Sequence, residues 1–336
     1  MASRLRELSD FTGLSESTIS RVVNNRGKVA QVTRDAVMTA IDVLGYERPG
    51  HLSPQAVRLV AVVMPQFANP IFPAIGEAVA AHVMSRGFTP TFAVTEAGGP
   101  SEGDYVAAML DRQVAGIVFV SGLHSVAGQD HDHYVNLIKR GMPVVAIDGV
   151  VAGLELACVS TDDAEAIELS LRHLTQLGHT HVGLAIADRD HVPGRRKEEA
   201  FLRRVEATPG LRGTVARSIY SLEGGMMAAT ELIVAGVTAV ICASDVMALG
   251  AVRAARKLAL NVPSDLSVIG FDDSVFMPLV DPPLTTIRQP VDAMAKAAAN
   301  ILHGQITGRG TPHGEILFEP ELIVRASTGP SPTVRR

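Results

Sequence analysis

At 336 residues the chain is long enough for two or three domains, and its 47% hydrophobic and 19% charged residues are those of an ordered globular protein. No apolar run approaches the roughly 20 residues of a membrane-spanning helix, and the opening MASRLRELSD has no signal-peptide core, so a cytoplasmic protein with no membrane partner is expected. The net charge of −5 weighs against nucleic-acid binding by the whole surface, but it is unevenly spread. Residues 1–34 carry Arg4, Arg6, Arg21, Arg26, Lys28 and Arg34 against Glu7, Asp10 and Glu16, a net +3 that leaves −8 for the remainder. A small basic head on an acidic body suits DNA contact by the head alone.

The chain begins with two short helical patterns broken at Thr12-Gly13. Leu8 and Phe11 are apolar before the break, and Leu14, Ile19, Val22 and Val23 after it. Ser15 is placed to cap the second helix, its hydroxyl taking a free backbone N–H, with Thr18 three residues on. Turning the apolar positions into a core sends Glu16, Ser17, Ser20, Arg21 and Asn24 outward. Such short polar groups and an arginine can reach base edges and phosphates in a major groove. This is the helix-turn-helix pattern, which a plain surface helical hairpin shares. After a turn at Asn25-Arg26-Gly27-Lys28, Thr33-Arg34-Asp35 is read as the cap of a third helix carrying Ala36, Val37, Ala40, Ile41 and Leu44, ending at Gly45.

Glu47–Arg58, ERPGHLSPQAVR, is rich in Pro, Gly and Ser and reads as a linker. Beyond it, strand-like runs at Leu59–Met64, Thr91–Val94, Gly116–Val120 and Val144–Asp148 alternate with helix-like stretches at Phe72–Arg86, Ser101–Arg112 and Tyr134–Arg140. A second series of strands at His181–Ala187, Val215–Ile219, Ala239–Ala243 and Leu266–Phe271 alternates with helices at Ala164–Leu177, Arg195–Val205, Gly224–Ala235 and Asp245–Leu258. Such alternation predicts parallel sheets covered by helices and joined by right-handed crossovers, and two series predict two lobes. Cys158 and Cys242 lie in apolar strand-like runs, as buried reduced thiols do.

Ligands of open parallel sheets bind beyond the carboxyl ends of the strands, and two facing lobes make a cleft there. Asn69, Phe72, Asp148, Ser244, Asp245, Asp272 and Asp273 follow predicted strands. Their carboxylates and amides can take paired sugar hydroxyls, and Phe72 or Phe276 can stack on a sugar face. Each has a plainer reading: Asp245 as a helix cap, Asp272-Asp273 as a strand end, Asp148-Gly149 as a turn.

The specific pattern lies in LxELSxxxGLSxSTISRVVNN followed by VxxxTRxxVxxAIxxLGY, which resembles the DNA-binding head of the LacI/GalR family of bacterial transcription factors. Downstream, Leu177-Gly178-His179, Ala243–Gly250, Val268–Asp273 and Pro283–Gln289 are similar to blocks of that family's effector-sensing core, which has the periplasmic-binding-protein fold. The resemblance implies a small all-α helix-turn-helix domain (1–46), a hinge or linker (47–58), and an α/β core of two doubly wound parallel-sheet lobes, 57–160 with 289–317 and 161–288 with 318–328. It implies three chain crossings between lobes, with Pro290–Leu302 in the first lobe and Glu319–Arg325 in the second. The expected DNA contacts are Arg6, Ser15, Glu16, Ser17, Thr18, Ser20, Arg21, Asn24, Lys28 and Thr33, and Leu52 is the candidate minor-groove wedge if the linker forms a hinge helix rather than a tether. Asn69, Phe72, Asp148, Ser244 and Asp272, with a basic residue at Arg196 or Lys197, match family effector positions, and Asp245 and Phe276 join them as candidates. The family's Arg-x-x-Gly-Phe reads Lys197-Glu198-Glu199-Ala200-Phe201 here, and its Asn-Asp reads Ser244-Asp245.

No other pattern competes. His124, His131, Asp132 and His133 crowd one loop, and His179 and His181 flank a strand, without the spacing of a complete zinc site, so no metal is expected. Neither Gly98-Gly99 nor Gly224-Gly225 has phosphate-loop spacing, so no cofactor is expected, and no nucleophile, base and oxyanion set suggests an enzyme. Arg195-Arg196-Lys197 is either a solvated helix face or a seat for a phosphate on the effector. The reading is a transcriptional regulator, taken as a repressor, with palindromic operator DNA, a sugar-like effector and a second copy of itself as partners. The alternative is a small-molecule-binding protein without a DNA role.

Overall fold

The computed structural model describes residues 2–24, 29–46, 58–95, 98–187, 190–309 and 314–332. The chain divides into two compact units, Met1–Arg58 and Leu59–Arg336.

The first unit holds helices α1 (Ala2–Thr12), α2 (Glu16–Val23) and α3 (Gln31–Val43). Leu8, Ile19, Val22, Val37, Ala40 and Ile41 form its buried core. Helix α1 ends because Gly13 adopts φ +69° and its N–H bonds the Ser9 carbonyl at 2.9 Å, a left-handed stop that only glycine makes without strain. Two expectations need correction. Phe11 is 53% exposed and supplies nothing to this core. Helix α3 starts at Gln31 rather than at a Thr33 cap: the Arg34 N–H already reaches the Ala30 carbonyl at 3.0 Å, so Thr33 lies inside the first turn. At the far end the Tyr46 hydroxyl donates to Glu7, and the Arg4 guanidinium sits 5.4 Å from the Tyr46 ring, tying the end of the head back to α1.

In the second unit, one six-stranded sheet contains β1 (Leu59–Met64), β2 (Thr89–Val94), β3 (Gly116–Val120), β4 (Val144–Ile147), β5 (Ala157–Thr161) and β11 (Glu315–Phe318), in the order β11-β5-β4-β3-β1-β2, parallel throughout. Helices α4 (Ile71–Met84) and α11 (Val291–Ile306) pack on one face of it, and α5 (Glu102–Asp111) and α6 (Asp132–Lys139) on the other. The second sheet contains β6 (His181–Ile186), β7 (Arg212–Arg217), β8 (Ala239–Cys242), β9 (Ser267–Asp272), β10 (Thr285–Arg288) and β12 (Glu321–Ile323), in the order β12-β10-β9-β8-β6-β7. It is parallel except that β12 runs antiparallel to β10. Its helices are α7 (Asp163–Gln176), α8 (Val192–Ala207), α9 (Leu222–Val234) and α10 (Asp245–Lys257). The chain passes between lobes three times, from β5 to α7, from β10 to α11 and from β11 to β12.

Edge strands account for most of the misplaced boundaries. Strand β2 begins at Thr89, two residues early, because a sheet edge tolerates Pro90. Strand β7 occupies Arg212–Arg217 rather than Val215–Ile219, and Ile219 is left 65% exposed. Helix α8 gains a first turn at Val192-Pro193-Gly194, where proline fits because its missing N–H has no helical acceptor. Helices α9 and α10 touch backbone to backbone: a Cβ on Gly225 would lie 2.6 Å from the Met247 carbonyl carbon.

Candidate DNA-reading helix and effector cleft

Helix α2 shows why its sequence makes an outward polar face. Ile19 and Val22 are fully buried, and the 3.6-residue period leaves Glu16, Ser17, Arg21 and Asn24 exposed, with Thr18 and Ser20 half-buried. Glu16 stands at the positive end of the helix dipole and Arg21 near the negative end, so both also favour the helix itself. The Ser15 hydroxyl accepts from the Thr18 N–H at 3.3 Å and contacts the Ser17 and Thr18 hydroxyls, so its first task is the cap. The Asn24 amide donates to the Ser20 carbonyl at 2.8 Å and so is turned back on its own helix. Arg6 is exposed and Thr33 half-buried on the other two helices. Lys28 and Leu52 lie outside the described residues, as does most of the 47–58 linker.

Between the two lobes of the second unit is a cavity of about 220 Å³. It collects Asn69, Phe72, Asp148, Lys197, Ser244 and Asp272 from the sequence-based candidates, and adds Gln66, Ser121, His191, Tyr220 and Phe271. The backbone around it is strained. Ser121 (φ +45°), Asp148 (+80°), Asp272 (+127°) and Asp273 (+52°), at the carboxyl ends of β3, β4 and β9, are four of the six non-glycine residues with positive φ among the described residues. Such conformations persist where surrounding structure enforces them, and they cluster at ligand sites. Here they accompany the placement of Ser121, Asp148 and Asp272 in the cavity lining.

The lining is polar and tightly braced. The Ser121 hydroxyl donates to Asp148. The Gln289 amide donates to Asp272 at 2.7 Å while its carbonyl oxygen accepts from the Thr161 hydroxyl at 2.7 Å, which links the cleft wall to two of the three lobe crossings. Burial raises the Asp272 carboxyl well above its ordinary range, with the nearby Asp245 charge adding to the effect. Lys197 pairs with Asp163 and lies 3.9 Å over the Phe271 ring. His191 meets Tyr220 edge-on at 5.7 Å, and burial holds its imidazole down at about 4, so it is neutral near pH 7. Its backbone pairs with Val126 of the first lobe, and the neighbouring Ala127 N–H donates to the Asp190 carbonyl at 2.7 Å. His191 Nδ1 and Asp272 Oδ2 are enclosed without a hydrogen-bond partner.

Three candidates are placed elsewhere. Arg196 points out of the cleft and grips Glu315 of the first lobe with both guanidinium nitrogens, the first at 2.8 Å. Consecutive helix positions differ by about 100°, so Arg196 and Lys197 cannot share a direction. Asp245 is fully buried below the cleft, accepting from the Ser274 N–H at 2.8 Å, the Ser274 hydroxyl at 2.9 Å and the Thr286 hydroxyl. It is neither the cap, which is Ser244, nor a wall residue; it braces the turn that presents Asp272. Phe276 is 55% exposed outside the cavity, because the chain turns away after Asp273, and Phe72, Tyr220 and Phe271 provide the aromatic faces instead.

The histidine-rich loop is internal architecture. Buried Glu102 accepts from the Tyr134 hydroxyl, from His133 Nε2 at 2.8 Å and from the Leu123 N–H at 3.2 Å. His131 Nε2 lies 2.8 Å from the Leu123 carbonyl oxygen. Among the described residues no group of His, Cys, Asp and Glu has the arrangement of a metal site, and no helix is long and apolar enough to cross a membrane. Ser121 and Tyr220 could have been found by extending the strand-end rule to β3 and β7; His191 had no comparable signal, since the start of α8 was misplaced.

Comparison with known proteins agrees with both units. Residues 5–49 match the family model described as bacterial regulatory proteins, lacI family, and residues 171–328 match the periplasmic binding protein-like domain. The chain is 45% identical over 341 residues to the HTH-type transcriptional regulator MalR of Streptomyces coelicolor, covering 100% of this chain and 99% of that protein. Among solved structures, a transcriptional regulator CelR–cellobiose complex is similar with a TM-score of 0.73 at 28% identity, covering 96% of this chain and 99% of the other. The lac repressor dimer bound to operator and the anti-inducer ONPF shares the fold with a TM-score of 0.76 at 24% identity, covering 96% and 98%. The chain therefore belongs to the lacI family of bacterial regulatory proteins and is a helix-turn-helix transcriptional regulator.

Proposed function

We propose that this regulator is a repressor that binds an inverted-repeat operator as a homodimer and releases it when a sugar-like effector occupies the cleft between the lobes. The observation that carries the effector reading is the cleft itself. Paired hydrogen-bonding side chains at Asn69, Asp148, Ser244 and Asp272 converge beside the Phe72, Tyr220 and Phe271 rings at the carboxyl ends of two parallel sheets. Hydroxyl pairs satisfy such groups, and an apolar sugar face fits the rings. The enclosed, unpartnered His191 Nδ1 and Asp272 Oδ2 support it, because each such atom costs about 1–3 kcal/mol until a ligand or water supplies a partner. The similarity to the CelR–cellobiose complex points the same way.

On the DNA side, Glu16, Ser17, Ser20 and Arg21 read base edges, while Arg6, Asn24, Lys28 and Thr33 serve phosphates and Ser15 and Thr18 hold the reading helix. Coupling arises because effector and operator prefer different lobe arrangements, and a ligand shifts that equilibrium only by its difference in affinity for the two states. The test is a gel shift of the full chain on its own upstream DNA at two salt concentrations, with and without sugars. Sequence-selective, salt-dependent binding that a sugar weakens is expected; binding that no sugar alters removes the effector reading. For Glu16, whose carboxylate accepts from cytosine N4, selection of operators by Glu16→Ala should lose a C·G preference at one position of each half-site, and unchanged selectivity overturns that assignment.

A further inference from the structure

The three-residue basic run Arg195-Arg196-Lys197 offered a seat for a phosphate, and the fold disperses it. Arg195 is on the surface, 3.8 Å from Glu199 on its own helix. Arg196 is committed to Glu315 of the other lobe. Lys197 alone reaches the cleft, where its ammonium is already answered by Asp163, both side chains being at most 4% exposed, and its other side is stacked on Phe271. Among the described lining residues there is no arginine and no second lysine, whereas Asp148 and Asp272 both face the cavity.

We propose that the cleft is selective for an uncharged polyol and shuts out phosphorylated or carboxylated sugars, with Asp148 the residue that enforces the exclusion. The inference rests on the effector reading above and narrows it. An anion entering here meets the Asp148 carboxylate on the first lobe and, among the described lining residues, finds no unpaired cation. Among the described residues its route to charge balance is to break the Lys197–Asp163 pair, which leaves the buried Asp163 without its partner. Two like charges at roughly 6 Å in a partly screened protein interior disfavour each other by about 100-fold in binding. Asp148 is well placed to apply that penalty. It stands on the first lobe, opposite Lys197 and Asp272 of the second, and its left-handed backbone and the Ser121 hydrogen bond hold it in position.

The experiment is isothermal titration calorimetry of the full chain with matched pairs: maltose and maltose 6′-phosphate, cellobiose and cellobionate, glucose and glucose 6-phosphate. At least one uncharged sugar is expected to bind, with its anionic partner at least about 100-fold weaker. In Asp148→Asn, which keeps the size and hydrogen-bonding reach of the side chain, the gap between the members of that pair should narrow by about tenfold or more, through a gain for the anion. A merely structural role for Asp148 would weaken both members alike and leave the gap unchanged, which overturns the assignment. An anionic sugar that binds the parent protein more tightly than its uncharged partner overturns the selectivity and leaves the regulator reading intact. Absence of binding by every sugar, together with operator binding that none of them alters, removes the effector reading and this inference with it.

Discussion

Replacing Lys197 by methionine tests whether the cleft is built on a buried ion pair. The substitution keeps the length and apolar stem of the side chain but leaves Asp163, 2% exposed at the first turn of α7, without its paired cation. Removing one partner of a buried pair costs about 3–5 kcal/mol, because the survivor is an uncompensated charge. The helix dipole at the α7 N-terminus returns less than about 1 kcal/mol of that. The pH dependence has a definite sign. Burial already pushes the Asp163 carboxyl up to about 6 with Lys197 present, and without Lys197 it rises further. An acid whose folded pKa exceeds its unfolded value near 3.8 holds a proton in the folded state that the unfolded chain has released. Stability therefore falls as pH rises between those two values, by about 1.4 kcal/mol per pH unit, and in Lys197→Met the fall continues to higher pH than in the parent. The loss should be close to its full size near pH 8 and much smaller near pH 5. Urea unfolding followed by tyrosine fluorescence suits the measurement, since of the four tyrosines Tyr134 is in the core and Tyr105 and Tyr220 pack against it, and the chain has no tryptophan. Adding Asp163→Asn should recover most of the loss, as expected for two residues in one interaction. A Lys197→Met protein as stable as the parent near pH 8, or a loss of the same size at both pH values, would refute the reasoning.

Two further outcomes follow from the packing. Gly225→Ala should destabilise the core by about 2 kcal/mol or more, because its Cβ meets the α10 backbone, which cannot rotate aside as a side chain can; an unchanged melting temperature would show that α9 and α10 have room to part. Burial alone raises the Glu102 carboxyl, but hydrogen bonds from His133, Tyr134 and Leu123 outweigh it and hold the group below its ordinary value. Its stabilising contribution is therefore present above pH 4.5 and lost as the solution is acidified through the lowered value. Glu102→Gln should cost about 1–3 kcal/mol near neutral pH and flatten that acid limb, and equal acid sensitivity of the two proteins would show that other groups set it.

Much of this molecule is legible in one dimension because it depends on local periodicity. The apolar spacing of Ile19 and Val22 and the Ser15 cap specify helix α2 and its outward face, and the alternation of strand and helix specifies two parallel lobes. The rule that ligands gather beyond strand ends then finds Asn69, Phe72, Asp148, Ser244 and Asp272. What it could not settle is direction. Arg196 and Lys197 are adjacent in sequence, yet the helix turns one to Glu315 and the other into the cleft, and only the packing of α8 against both lobes selects which. Asp245 satisfies the strand-end rule and fails it in space, held instead by Ser274 and Thr286, and Phe276, offered for stacking, is carried out of the cavity where the chain turns at Asp272-Asp273. His191 enters the site from a segment with no marked sequence signal, brought there by its pairing with Val126 across the lobes and its edge-on contact with the Tyr220 ring. Which charges remain unanswered in the cleft is likewise a tertiary fact: a buried cation carries recognition only if no neighbouring residue has already neutralised it, and here Asp163, remote in sequence from Lys197, has done so.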